Sequence, residues 1–245
     1  LILFTLNSIL LDYRKLDPFV ADITAGGTPV VALINDIRAP TISAKSMVSF
    51  FEMGKKAGEY VLQDSGAKDI KIAFFPGPEN SGWAPDTYQG FLDSVAEREN
   101  SDQKITIMKP LYGDTRPDVQ RMRLAILNEE RYRGVDYIVG NAVAAVEAVG
   151  YLKNHHAEHP KAKVVATYLT PDVFREIQKG LIQASPSDQI VNQCRIALDM
   201  VVKVLNGEEA GKDFPFRVSP LIPLVTIDNI QQLEYEELFG PPGYQ

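Results

Sequence analysis

One cysteine, Cys194, is all the thiol chemistry this 245-residue chain has. An internal disulfide is therefore excluded, and the apolar helical stretch around it, Val191 to Leu205, reads it as a buried structural thiol. Tryptophan is equally scarce, with Trp83 alone. No apolar run approaches the roughly 20 residues of a membrane span, and no basic segment leads into an apolar one as an export signal would. Positive charge is short as well: 25 Lys and Arg against 32 Asp and Glu leave a net charge of −7, the opposite of a nucleic-acid footprint. Catalytic signatures are also missing. The chain has no phosphate-binding P-loop, no dinucleotide-binding glycine motif after a strand, no HExxH zinc motif and no GxSxG elbow, so neither an enzyme nor a cofactor is expected. Gly54-Lys55-Lys56-Ala57-Gly58 falls inside a helical pattern and is too short to cradle phosphate. His155 and His159, four residues apart, have a spacing that holds a metal on one helical face, but before Pro160 they read as a solvated helix end, and no metal is expected.

What is present is an alternation of short β-rich runs with amphipathic helices. Apolar residues make up 45% of the chain, ample for a sizeable core, and at roughly 150 residues per domain the length allows one or two. Strands are expected over Leu1 to Leu6, Pro29 to Ile34, Ile70 to Phe75, Ile105 to Leu111, Tyr137 to Gly140 and Val164 to Tyr168. The clearest helix runs from Ser46 to Gln63, where Met47, Phe50, Phe51, Gly54, Ala57, Gly58 and Val61 follow the i, i+3, i+4 stripe. Others cover Asp86 to Ala96, Pro117 to Leu127, Val143 to Lys153, Pro171 to Lys179 and Gln189 to Leu205. Capping residues and prolines at Asp114 to Asp118 and Thr170 to Asp172 mark helix entries. Such alternation implies an α/β fold with a mostly parallel sheet covered on both faces. Residues 212–227 are extended and proline-punctuated, as if crossing between lobes before adding an edge strand. The tail from Glu236 to Gln245 looks peripheral.

Trp83 sits in the loop from Phe74 to Pro85, between a strand-like run and a helix-like one. Open α/β sheets bind small molecules in that place, beyond the carboxyl ends of their strands. An indole there offers an electron-rich face to an apolar or cationic group; it would equally plug a core or cover a hinge.

Several segments resemble the periplasmic binding protein and LacI-type sugar-binding superfamily, in order and spacing, over nearly the whole chain. They are Pro29 to Asp36, the helix Met53 to Tyr60, Ile72 to Pro78 with Tyr88 to Phe91, Val135 to Ala142, and Thr170 to Val173 followed by Ile177 to Ala184. The resemblance implies a two-lobed type I fold. One lobe comprises residues 1–45 and 169–212 with further N-terminal units expected ahead of Leu1, which is not a Met; the other comprises residues 46–168 and 213–245. It also implies a site that departs from the family's sugar binders. Their Asp-Arg pair falls here at Leu33-Ile34-Asn35, their Arg before Gly-Phe at Thr87, and their Asp before Thr-Pro-Asp at Tyr168. A site without those charged partners leaves sugar hydroxyls unpaired.

Trp83 and Tyr168 instead begin an aromatic cage for a methylated ammonium group. Together with Gly77 to Trp83 this resembles the family's periplasmic sensors of trimethylamine N-oxide. That likeness implies location in the periplasm, no transport role, and docking of the loaded protein on the periplasmic domain of a sensor histidine kinase, which switches a two-component pathway for anaerobic respiration. Trp83 and Tyr168 would enclose the methyl groups, with Asn141 or Asn35 orienting the oxide; Asn141 also suits the cap of the following helix. The alternatives are a transporter's solute-binding protein for a sugar or small amine, and the sensor core of a cytoplasmic repressor.

Overall fold

The strand and helix patterns build two sheets, and the chain crosses between them three times. The computed structural model describes residues 16–66, 68–98 and 103–241; the strand expected over Leu1 to Leu6 lies outside the described residues. In chain order the elements are α1 (Asp17–Ala25), β1 (Val31–Leu33), β2 (Ala44–Ser46), α2 (Phe50–Ser65), β3 (Ile70–Phe75), α3 (Ala84–Ala96), β4 (Ile105–Ile107), α4 (Pro117–Leu124), β5 (Tyr137–Gly140), α5 (Ala142–Asn154), β6 (Lys163–Ala166), α6 (Pro171–Gln178), β7 (Ala184–Pro186), α7 (Ile190–Leu205), β8 (Arg217–Val218), β9 (Leu224–Thr226) and α8 (Tyr235–Phe239). Strands β1, β2 and β8 form a small parallel sheet in that order. The larger sheet runs β4-β3-β5-β6-β7-β9 and is parallel except for β9, which lies antiparallel to β7.

Side-chain alternation along β3 explains how the larger sheet is covered on both faces. Ile70, Ile72 and Phe74 pack with Ala57 and Val61 of α2 and Phe91 of α3, while Ala73 and Phe75 face α5 and α6 through Ala145, Ala148 and Ile177. The period of two thus sends successive residues into two separate cores. The small sheet repeats the scheme, with Val31 and Leu33 against Ala197, Met200 and Val201 of α7, and Val30 and Ala32 against Val20 of α1.

Helices α2 and α3 cross with their backbones almost touching. A Cβ on Gly54 would lie 1.8 Å from the Thr87 carbonyl oxygen, and one on Gly90 would lie 1.9 Å from the Phe51 carbonyl oxygen. Only glycine fits either position. Ser49 caps α2 by accepting the Glu52 N–H at 3.3 Å.

Some expectations need correction. Sheet membership changes at residues 47–49, 187–189 and 219–223. Residues 169–186 therefore accompany the larger sheet, and residues 190–205 and 217–218 the smaller, unlike the expected division at 169 and 213. The cause is β7, an Ala-Ser-Pro strand with no β-branched signal. Up to Phe239 the tail is docked rather than peripheral: α8 buries Leu238, and the Tyr235 and Phe239 rings stand edge-on to Phe174 at 5.5 and 5.8 Å. Cys194 is half-buried against the small-sheet core rather than enclosed. His155 stacks on Tyr151 at a centroid distance of 4.1 Å, and His159 is buried rather than solvated.

Two outcomes are expected. Gly54→Ala should destabilise by about 3 kcal/mol through overpacking, whereas Gly150→Ala, whose Cβ meets nothing within 4 Å in the interior of α5, should stabilise by about 0.5–1 kcal/mol; urea unfolding midpoints compare them. Burial holds His159 below its ordinary pKa. The unfolded chain therefore takes the proton first, and stability should fall as pH drops below about 6.5. His159→Phe should flatten that decline in melting temperatures recorded across the same pH range.

Candidate functional site

The α2–α3 crossing sets two aromatic rings side by side. Phe50 opens α2 and Trp83 immediately precedes α3, so the glycine contacts, at Gly54 one turn into α2 and at Gly90 two turns into α3, fix their separation. Their ring centroids lie 6.3 Å apart at 48°. Tyr168, which follows β6, meets the Trp83 ring edge-on at 5.7 Å and 88°. Such pairs contribute about 0.5–1.5 kcal/mol each beyond the area they bury. Gly77, with φ at 116°, makes room for the indole, since a Cβ there would lie 2.5 Å from Trp83 Cη2.

These rings form one wall of a cavity of about 220 Å³ between the two sheets. That is below the roughly 300–1,000 Å³ of drug-sized sites and suits a small solute. Ile34 and Asn35, at the end of β1, line the same cavity, as do Thr115 and Thr170. Ile34 has φ at 66°, and the Asn35 N–H bonds the Leu33 carbonyl at 2.7 Å across it. This is a γ-type turn, rare and strained for a β-branched residue. Thr115 is held in place by the buried Gln120, whose amide donates to the Asp114 and Gly113 carbonyls at 2.6 and 3.3 Å.

The cavity floor is the crossing from β7 to α7, and it carries Asp188. The residue is 7% exposed, and its carboxyl has no ion-pair partner among the described residues. Burial pushes its pKa up to about 7, opposed weakly by its own backbone N–H. Burial likewise raises the Tyr168 hydroxyl, with the Asp188 charge adding to it. The neighbouring Gln189 takes a left-handed conformation with φ at 55°. The three crossings are tied laterally. The Met47 N–H donates to Val218 O at 3.1 Å and the Ser187 N–H to Pro223 O at 2.8 Å. The Ser46 hydroxyl donates to Gln193 O at 2.7 Å, and the Ser219 hydroxyl to Met47 O.

Three of the four expected site residues, Trp83, Tyr168 and Asn35, line this cavity. Asn141 stands behind it. Its oxygen accepts the Ala144 N–H at 3.1 Å, its nitrogen donates to the Phe75 carbonyl at 3.2 Å, and the residue is 0% exposed. Its side chain thus caps α5 and ties the end of β3. Thr87 is also inside, with its hydroxyl donating to the Trp83 carbonyl at 2.9 Å. Sequence reasoning missed Phe50, which the helical stripe assigned to the core, and Asp188. The one available signal for Asp188 was a lone acid in a short polar stretch between apolar runs, Ser-Pro-Ser-Asp-Gln.

Residues 9–209 match the model of a family described as the periplasmic binding protein domain. The periplasmic protein TorT of Escherichia coli K12 is 29% identical over 217 residues, covering 89% of this chain and 60% of that protein. The chain thus spans about 60% of the length of the curated relatives it matches. A solute-binding protein of an ABC transporter from Bradyrhizobium sp. BTAi1, solved with bound bis-tris, is 33% identical with a TM-score of 0.79, over 94% of this chain and 66% of that one. The complex of TorT with the TorS sensor domain in the presence of TMAO superposes with a TM-score of 0.77 at 24% identity, over 96% and 76% of the two chains. At that identity the likeness speaks for the fold.

Gly77→Ala should displace the Trp83 indole while leaving the sheet intact. A red-shifted, weaker tryptophan emission with unchanged far-ultraviolet circular dichroism is the expected result.

Proposed function

The chain belongs to the periplasmic binding protein domain family, and on that premise we propose that it is a periplasmic receptor for trimethylamine N-oxide or a close methylated amine. In this reading the loaded protein acts on the periplasmic domain of a sensor histidine kinase in a two-component pathway for anaerobic respiration, and it is not an enzyme. The carrying observation is the wall of three rings, Phe50, Trp83 and Tyr168, around a small cavity between the sheets. Electron-rich faces attract a methylated ammonium head, by about 0.5–2 kcal/mol per well-placed ring. Support also comes from the cavity's composition: neither Arg nor Lys lines it, so a sugar's hydroxyls would lack the cationic partner that the family's sugar binders supply beside their carboxylates. The likeness to TorT points the same way. Asn35 and Thr170 are the polar groups nearest to hand for an oxide, and Asn141 acts from behind by holding the strand ends in place. The two sheets are the two lobes, and ligand shifts their relative position as far as its affinity differs between open and closed forms.

A second reading, a solute-binding protein that delivers an amine to a permease, is favoured by the Bradyrhizobium relative and its bound bis-tris.

Calorimetric titration of the full-length protein with trimethylamine N-oxide, choline, glucose and ribose tests the assignment, alone and with the candidate kinase domain. Saturable binding of the N-oxide is expected, weakened about 10-fold to 30-fold in Trp83→Ala, in line with loss of about 2 kcal/mol. Binding of a sugar, or of none of the four in either setting, would sink it. Amine binding with no effect on the kinase domain would favour the transport reading.

A further inference from the structure

The site described above contains a charge that its aromatic wall does not use. Asp188 lies in the crossing between β7 and α7, at the cavity floor, buried and without an ion-pair partner among the described residues. A buried carboxylate without a partner is costly and is relieved by taking up a proton or by pairing with a positive group that enters the site. The rings of Phe50, Trp83 and Tyr168 share the cavity, and their faces are negative in quadrupole. Every electrostatic feature of this wall and floor therefore favours a positive group. Resting on the proposed receptor function, we propose that Asp188 is the charge-selecting residue of the cleft, pairing directly with the positively charged nitrogen of the ligand and setting its preference for a cationic amine over a neutral solute of the same shape.

The surroundings isolate Asp188 as the group that would respond. Tyr168 is the other titratable residue lining the cavity, and its hydroxyl is held far above neutral pH. Lys56 of α2 lines a separate cavity, with Gln189 of the crossing and Asn192 of α7. Asp36, Arg38, Asp86 and Arg217 surround another cavity behind Phe50, where Asp36 pairs with Lys45 at 2.6 Å. None of these lines the cavity that holds Asp188. With its pKa near 7, the empty site at neutral pH holds Asp188 as a mixture of acid and carboxylate. A cation selects the carboxylate and expels the proton.

The test compares choline with 3,3-dimethylbutan-1-ol, which replaces the quaternary nitrogen by carbon and so keeps the shape without the charge. Titrations use the full-length protein, wild type and Asp188→Asn, with circular dichroism to confirm folding. Choline affinity is expected to fall at least tenfold in Asp188→Asn, while the weak affinity for the alcohol stays within about twofold. A second readout needs no variant: wild-type choline titrations near pH 7 in two buffers of different ionisation enthalpy should report proton release. Equal losses for choline and the alcohol, or an unchanged choline affinity together with no proton release, overturn the role of Asp188 while leaving an amine receptor in place. Wild-type protein that binds neither choline nor trimethylamine N-oxide overturns both readings.

Discussion

Much of this molecule depends on the point where two helix backbones meet without side chains between them. Gly54 and Gly90 bring α2 and α3 together at carbonyl-contact distance, and the starts of those helices deliver Phe50 and Trp83 to the cleft. Helices separated by ordinary side chains pack with axes about 8–10 Å apart. Here the backbones come closer, and the rings at the start of each helix inherit that precision. Gly77 extends the same logic into the loop after β3, where the indole lies against bare backbone. A site made of aromatic faces needs rigid placement, because its attraction falls away once a ring turns.

A second theme is the absence of compensation in the cleft. The surface of the protein is rich in ion pairs, such as Lys163 with Asp64 at 2.7 Å and Lys55 with Glu97 at 2.7 Å, which contribute little because water screens them. The acid on the cavity floor has no such partner, and it is there, out of water, that a charge interaction is strongest. Around it Asn141 is satisfied by a helix start and a strand carbonyl and the Gln120 amide nitrogen by two loop carbonyls, while the Gln120 side-chain oxygen, the Thr167 hydroxyl and the Gln193 side-chain oxygen are buried with no hydrogen-bond partner among the described residues.

Much of the fold was legible because parallel sheets covered on both faces leave long apolar runs and helices leave a 3.6-residue stripe. Ile70–Phe75 and Tyr137–Gly140 fall where the pattern puts them, and α3, α5, α6 and α7 within two residues of it. The short strands were hidden. Ala44–Ser46 and Ala184–Pro186 take strand geometry from their neighbours rather than from their own side chains, and the division between the sheets went astray with them. The site was half legible. A lone tryptophan and a tyrosine at loop positions stand out by type and place, and both line the cavity. Phe50 carries the same letter whether it faces core or cleft, and an aspartate reveals its burial only after the chain has folded around it. His159 misled for the same reason, since a polar run before a proline reads as solvated until packing encloses it.

Because the chain crosses between the sheets three times, any rotation of one sheet against the other must bend all three crossings together, and hydrogen bonds join the first to the third through Ser219 and Met47 and the second to the third through Ser187 and Pro223. The cavity is built against these crossings, with Asp188 itself one of the residues that any rotation must pass through. A solute seated there works on the short arm of a lever, while the outer rims of the two sheets are the long arm. A displacement of a fraction of an ångström at the floor is multiplied at the far surfaces, where another protein would feel it, and the available force is divided by the same ratio.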